Sequence, residues 1–171
     1  MGEVLRTAWA RTELGKLLVA TSGEGVCFLG LRPETAANEF RAWSQKFWPG
    51  AEITRDDGAL GSTCAQLEEY ARGERREFEL TFDLRGTDFQ RAVWGGLLGI
   101  PFGRTISYMD LARRLGKPGA SRAVGAANGA NPIPIMVPCH RVVARHGLGG
   151  FTGGLELKQR LLALEGAYLP L

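Results

Sequence analysis

Apolar and polar residues alternate through positions 5–10 and 17–20, and an uninterrupted apolar run covers 26–31, with Gly15 and Gly23-Glu24-Gly25 between them. Alternation at period two marks half-buried strands, and short glycine-containing gaps suit tight turns, so the pattern predicts antiparallel strands. A helical stretch follows, opened by Pro33, running to about Phe47 and stopped by Pro49-Gly50. A second helix is predicted over 60–71, and Phe78, Leu80, Phe82 and Leu84 alternate as a further strand. Residues 1–85 thus predict a small α+β domain, an antiparallel sheet plus helices, without a cluster of catalytic residue types.

At Gly86 the period becomes helical. Thr87-Asp88-Phe89-Gln90 matches a capping box, and Phe89, Val93, Trp94 and Leu97 follow at helical spacing. Ser107 stands three residues before Asp110, and Tyr108, Leu111, Ala112 and Leu115 mark one face of a short helix that Gly116-Lys117-Pro118-Gly119 ends. The next segment, 120–130, puts Ala120, Ala123, Val124 and Ala127 on an inner stripe and leaves Ser121, Arg122, Gly125 and Asn128 outward. Two short helices around a Gly-Pro-Gly turn form a helix-turn-helix pattern. Gly125, Gly129 and the alanines make the second helix smooth at a cost in helix propensity. That cost suits a backbone lying close to another surface, or a helix packed tightly inside its own protein. Asn131-Pro132-Ile133-Pro134 stops the helix, because each proline removes a donor and restricts its predecessor, and predicts a rigid extended arm leading to Pro138-Cys139-His140-Arg141-Val142. A loop over 147–154 and a closing helix over 155–165 complete a mainly helical second domain, residues 86–171. The expected fold class is α+β, with the helix-turn-helix in the second domain.

With 171 residues, 44% of them hydrophobic, the chain can bury a core in one ordinary domain or two small ones. No stretch approaches the ~20 apolar residues that cross a bilayer, and Met1-Gly2-Glu3-Val4-Leu5-Arg6 lacks the order of a signal peptide, so the expected location is the cytoplasm. The net charge of +3 is unevenly spread: residues 1–85 carry −3 and residues 86–171 carry +6. The basic half is the better candidate for a polyanionic partner, although basic faces are often merely solvated. Three widely spaced cysteines offer neither a disulfide framework nor a metal site. Cys27 and Cys64 sit among apolar residues and read as small buried hydrophobes. Cys139 differs, having Pro138 before it and His140-Arg141 after it. Neighbours on an extended strand point to opposite faces, so contact between Cys139 and His140 needs irregular backbone or a bridging water. The basic setting of His140 and Arg141 favours the thiolate. Alone, the pair suits nucleophilic catalysis in general, a Cys-His hydrolase included.

Ile106-Ser107-Tyr108, Ser121-Arg122-Ala123-Val124-Gly125, Asn131-Pro132 and Pro138-Cys139-His140-Arg141-Val142, in this order and spacing, resemble the O6-alkylguanine-DNA alkyltransferase family. The resemblance covers about residues 87–166 and includes Leu162-Ala163-Leu164-Glu165-Gly166; residues 1–85 match in general architecture. It implies direct repair of double-stranded DNA carrying O6-alkylguanine, with O4-alkylthymine as a further substrate. Each molecule would act once, with Cys139 as the acceptor. His140 would remove the thiol proton through a water, Glu165 would orient His140, and Tyr108 would donate to the departing guanine. The second helix would enter the minor groove, Arg122 filling the place of the flipped nucleotide, with Ser121, Ala123, Gly125, Asn128 and Gly129 on the DNA-facing surface. Asn131 would fix the turn after the helix, Pro134 and Phe151 would shape the pocket, and backbone groups of Cys139, Val142 and Thr152 would read the guanine edge. No cofactor and no metal are implied, and residues 1–85 contain no histidine for the zinc found in some relatives. A monomer is expected, with association on DNA left open. Phe151 lacks the hydroxyl of the tyrosine often found in the pocket loop, and Asn128-Gly129 is less bulky and less basic than in some recognition helices. Non-catalytic lesion binders with the same domain lack the cysteine.

Overall fold

Three apolar segments form the strands expected of them, β1 (Val4–Thr12), β2 (Gly15–Thr21) and β3 (Val26–Gly30), paired antiparallel in sequence order. The structure, a computed structural model, describes residues 2–167. The sheet itself is mixed rather than antiparallel. After helix α1 (Ala36–Phe47) the chain returns as β4 (Glu52–Arg55), which pairs parallel with β1 and gives the order β3-β2-β1-β4. A parallel partner needs a crossover, and α1 supplies it. Beneath the sheet, Leu5, Leu18, Ala20, Cys27, Phe28, Ala36, Phe40 and Trp48 form one apolar cluster, where α1 comes so close to β3 that a Cβ on Gly30 would lie 2.5 Å from that of Ala36.

Helix α2 (Gly61–Ala71) follows, with Leu60 at its N-cap. The strand expected over 78–84 is reduced to a single parallel bridge, Val26 with Phe82. Its alternation holds only as far as 82: 78, 80 and 82 are half-buried with 77, 79 and 81 exposed, but 83 is buried, 84 and 85 are half-buried, and the ladder is interrupted. The Gln66 side chain takes both backbone groups of Glu79, donating to its carbonyl and accepting from its N–H. Cys27 is fully buried, as expected, whereas Cys64 is only partly so.

The chain divides into two compact units after Arg85. The second opens with α3 (Asp88–Leu98), whose capping box is complete: Thr87 accepts from the Gln90 N–H while the Gln90 side chain accepts from the Thr87 N–H. Trp94 Nε1 donates to the Ala127 carbonyl at 2.8 Å and ties α3 to α5. A short strand β5 (Ile106–Ser107) leads into α4 (Tyr108–Arg114), with Ser107 Oγ accepting from the Asp110 N–H. Helix α5 (Ser121–Gly129) completes the helix-turn-helix. Its buried stripe is Val124, Ala127 and Asn128, while Ala123 is exposed. The expected inner and outer assignments of Ala123 and Asn128 are thus reversed, because α5 packs on both α3 and α4 and Asn128 turns towards the Cys139 backbone.

The segment between α5 and Cys139 is not an extended arm. Residues 131–138 are all buried and fold through tight turns, with Val137 N–H donating to the Ile133 carbonyl, Met136 to Pro134 and Cys139 to Val137. Ile135 adopts φ 73°, an uncommon conformation for a β-branched residue, held there by this packing. The prolines exclude a helix, and Asn131 supplies the local bonds: its Nδ2 donates to the Val137 carbonyl and its Oδ1 accepts from the Ile133 N–H. A 3-10 turn, Cys139–Arg141, a two-residue strand β6 (Val142–Val143) parallel to β5, and α6 (Leu155–Leu164) complete the unit. No described helix is long and apolar enough to cross a membrane.

Candidate active site

The turn at Cys139 exists because Pro138, with ψ 67°, bends the chain so that the Cys139 N–H returns to Val137 and the Arg141 N–H to Pro138. Its residues point where an extended strand could not send them. Cys139 lies at a cavity of about 380 Å³ lined by Tyr108, Gly125, Asn128, Gly129, Gly150, Phe151 and Thr152. That size falls within the roughly 300–1,000 Å³ of small-molecule sites. Burial pushes the Cys139 thiol up to about 11. The Asn131 side chain, the nearby Lys158 charge and the backbone N–H groups of Cys139 and His140 pull the other way. At neutral pH the resting sulfur is therefore a thiol, and attack requires a base.

His140 is the candidate base, fully buried with Nε2 2.8 Å from Glu165 Oε1. Its other ring nitrogen, Nδ1, is buried with no hydrogen-bond partner among the described residues. Burial lowers the His140 pKa despite the pull of Glu165, so the imidazole is neutral. Glu165, the C-cap residue of α6, is also bound by Arg141, whose Nε and Nη2 donate to its two oxygens at 3.0 and 2.9 Å. The basic setting expected from Arg141 is thus spent on Glu165, and Lys158 is the cation that favours the thiolate.

Lys158 escaped the sequence reading. Its Nζ is buried and donates to the carbonyls of Val142, Leu148 and Gly150, the first at 2.7 Å. Burial brings its pKa down to about 8. The available signal was its position: Lys158, Leu161, Leu162 and Glu165 recur at i, i+3, i+4 and i+7, placing two charged residues on the buried face of α6. Lys158 holds the pocket loop on both sides of Gly149, where a Cβ would lie 2.8 Å from the Tyr108 hydroxyl oxygen. Tyr108 starts α4, donates to the Gly150 carbonyl at 3.5 Å and has its pKa raised by burial.

Asn128, expected on the outward face, is instead a buried wall of the cavity: its Nδ2 donates to the Cys139 carbonyl at 3.2 Å. Thr152 closes the rim, Oγ1 donating to the Gly129 carbonyl at 3.0 Å. Arg122 and Ala123 are exposed and Ser121 half-buried on α5, outside the cavity. Asn131, Pro134 and Val142 are buried and do not line it, and the Val142 carbonyl accepts from Lys158. Among the described residues, no group of three or more His, Cys, Asp or Glu side chains could hold a metal ion.

Both parts of the chain match family models. Residues 5–84 match the ribonuclease-like domain of 6-O-methylguanine DNA methyltransferase, and residues 88–167 match its DNA binding domain. The chain belongs to the 6-O-methylguanine DNA methyltransferase family. Among relatives of this methyltransferase, the inducible methylated-DNA–protein-cysteine methyltransferase of Bacillus subtilis is 43% identical over 148 residues, 86% of this chain and 82% of that protein. The methylated-DNA–protein-cysteine methyltransferase of Methanosarcina acetivorans is 50% identical over 155 residues, 90% and 94% of the two chains. The crystal structure of Mycobacterium tuberculosis OGT in complex with DNA is similar at a TM-score of 0.79 and 42% identity, covering 98% of this chain and 95% of that one.

Proposed function

We propose that this methyltransferase repairs O6-alkylguanine in double-stranded DNA, and O4-alkylthymine as a further substrate, by transferring the alkyl group to Cys139. The observation that carries the assignment is the placement of Cys139 at the wall of a base-sized cavity beside Tyr108, backed by the buried His140–Glu165 pair. The Cys139 proton passes to His140, through a water between sulfur and Nδ1. Sulfur bonds to the alkyl carbon, the carbon–O6 bond breaks, and its electron pair leaves with guanine. Tyr108 donates to the negative charge that develops on the base, and a proton completes neutral guanine. The thioether has no leaving group that water can displace readily, so each molecule acts once and needs no cofactor.

The lesion lies inside the base stack, so the nucleotide must be extruded. Exposed Arg122, near the start of α5, supports a role in filling the gap from the minor groove, and Ser121, Ala123, Gly125 and Gly129 give the helix a low profile against the backbone. Asn131 holds the turn beneath the site, Pro134 packs within that turn, and Phe151 and Thr152 form the pocket rim, where the Thr152 backbone reads the base edge; the backbone groups of Cys139 and Val142 are taken by Val137, Asn128, Lys158 and each other. The protein acts as a cytoplasmic monomer, with residues 86–171 carrying DNA binding and transfer. With lesion duplex in excess, repair should stop at one lesion per protein molecule; continued turnover overturns the assignment.

A further inference from the structure

Arg141 takes no part in the transfer described above, yet it is 7% exposed and commits its guanidinium to the carboxylate behind His140. We propose that Arg141 is a positioning residue that keeps Glu165 a charged, acceptor-only carboxylate and thereby fixes His140 as the neutral tautomer with its proton on Nε2 and its lone pair on Nδ1. The proposal rests on the reading of His140 as the base for Cys139.

Three fixed donors face Glu165: Arg141 Nε, Arg141 Nη2 and the Gly103 N–H. Oε1 faces His140 Nε2 at 2.8 Å and Arg141 Nη2 at 2.9 Å, while Oε2 faces Arg141 Nε at 3.0 Å and the Gly103 N–H at 3.3 Å. The adjacent guanidinium and these fixed donors favour the ionised carboxylate, which is acceptor-only towards Nε2. Arg141 is itself anchored, Nη1 donating to the Ile100 carbonyl at 2.6 Å, which fixes the fork's direction. The pair is neutral as a unit, and the imidazole can remain uncharged beside it.

Without Arg141, the charge of the buried carboxylate can be balanced or removed in two ways. The carboxylate can hold His140 as an imidazolium, or it can be protonated and donate to Nε2, which moves the imidazole proton to Nδ1. Both remove the lone pair from Nδ1, the nitrogen that has no protein partner. The charged and titratable groups acting on His140 are Glu165, Arg141 and Lys158, with Cys139 adjacent in the chain; Glu165 favours the imidazolium, and Arg141, Lys158 and burial oppose it. Arg141 thus works on the base and not on the sulfur, for which Lys158 is the cation that counts.

The chain has two histidines, His140 and the exposed His146, so histidine-selective nitrogen labelling of the whole unmodified protein gives two readable imidazoles. In long-range proton–nitrogen spectra at about pH 7, wild-type His140 should be neutral with its proton on Nε2. Arg141→Gln should convert it to imidazolium or to the Nδ1–H form and slow single-turnover transfer by at least roughly tenfold. Arg141→Lys, which keeps the charge, should restore the wild-type tautomer. An Arg141→Gln protein with unchanged tautomer overturns the proposal. So does a wild-type His140 protonated on Nδ1, a result that needs no variant to fold. If Cys139 never gains an alkyl group while His140 shows the stated tautomer, the transfer reading fails and the assignment of Arg141 stands.

Discussion

The N-terminal unit keeps its charges at the surface, in pairs such as Arg55–Asp57 and Arg72–Glu74, and its one buried charged side chain among the described residues, Asp83, accepts from Ser22 and the half-exposed Arg85. The C-terminal unit buries His140, Arg141, Lys158 and Glu165 together. A buried ion pair rarely stabilises a protein more than well-packed apolar residues would, because desolvation offsets the attraction. The stability given up in the second unit is matched by what the charges hold: a neutral base, a fixed carboxylate and a tethered pocket loop. The first unit has an apolar core and no such constellation.

The contrast is sharpest when one partner is removed. Glu165→Ala should cost about 3–5 kcal/mol by leaving Arg141 buried without its partner, whereas Asp57→Ala should cost under about 1 kcal/mol. Hydrogen exchange, which resolves the two units, checks both, and comparable losses would erase the distinction. Next in size, Tyr108→Phe should slow transfer about a hundredfold while preserving DNA affinity, measured by single-turnover kinetics; an unchanged rate removes Tyr108 from the chemistry. Arg122→Ala should slow reaction with duplex roughly tenfold more than with the free modified base, since the duplex alone requires extrusion. Equal losses would leave Arg122 a general surface charge.

The smallest effect is a pH dependence confined to the second unit. His140 is held neutral below its ordinary 6.5, so the unfolded chain binds a proton that the folded chain does not. Stability from this group is complete above 6.5 and falls as the pH drops below it, by at most about 1.4 kcal/mol per unit. Residues 1–85 contain no histidine and should show no such decline between about pH 6.5 and 5.5. His140→Asn should remove the slope from the second unit, as read by exchange at several pH values.

Local signals were legible from the sequence and long-range ones were not. The Thr87–Gln90 capping box, the Ser107 cap and strands β1 to β3 are set by residues a few positions apart, and they stand as expected. Strand β4 is short and mostly exposed, so it carries no alternation, and its partner lies almost fifty residues away. The prolines before Cys139 correctly excluded a helix, but nothing in them distinguishes an extended arm from the buried turns that Asn131 stabilises. Cys139 and His140 stood out from their local setting and gained their specific roles from the family resemblance, which alone supplied the roles of Glu165 and Tyr108. Lys158 and the grip of Arg141 on Glu165 were missed, because lysine and arginine are ordinarily solvated and their partners are distant in the chain.

The central claim is that the sulfur of Cys139 carries away the alkyl group. Intact-protein mass measurement with peptide mapping, after incubation with excess O6-methylguanine duplex, addresses it directly. The account predicts one methyl substituent per protein, confined to the peptide containing Cys139 and absent from Cys139→Ala. A folded protein that gains no mass, or that gains it on Cys27, Cys64 or another residue, would contradict it.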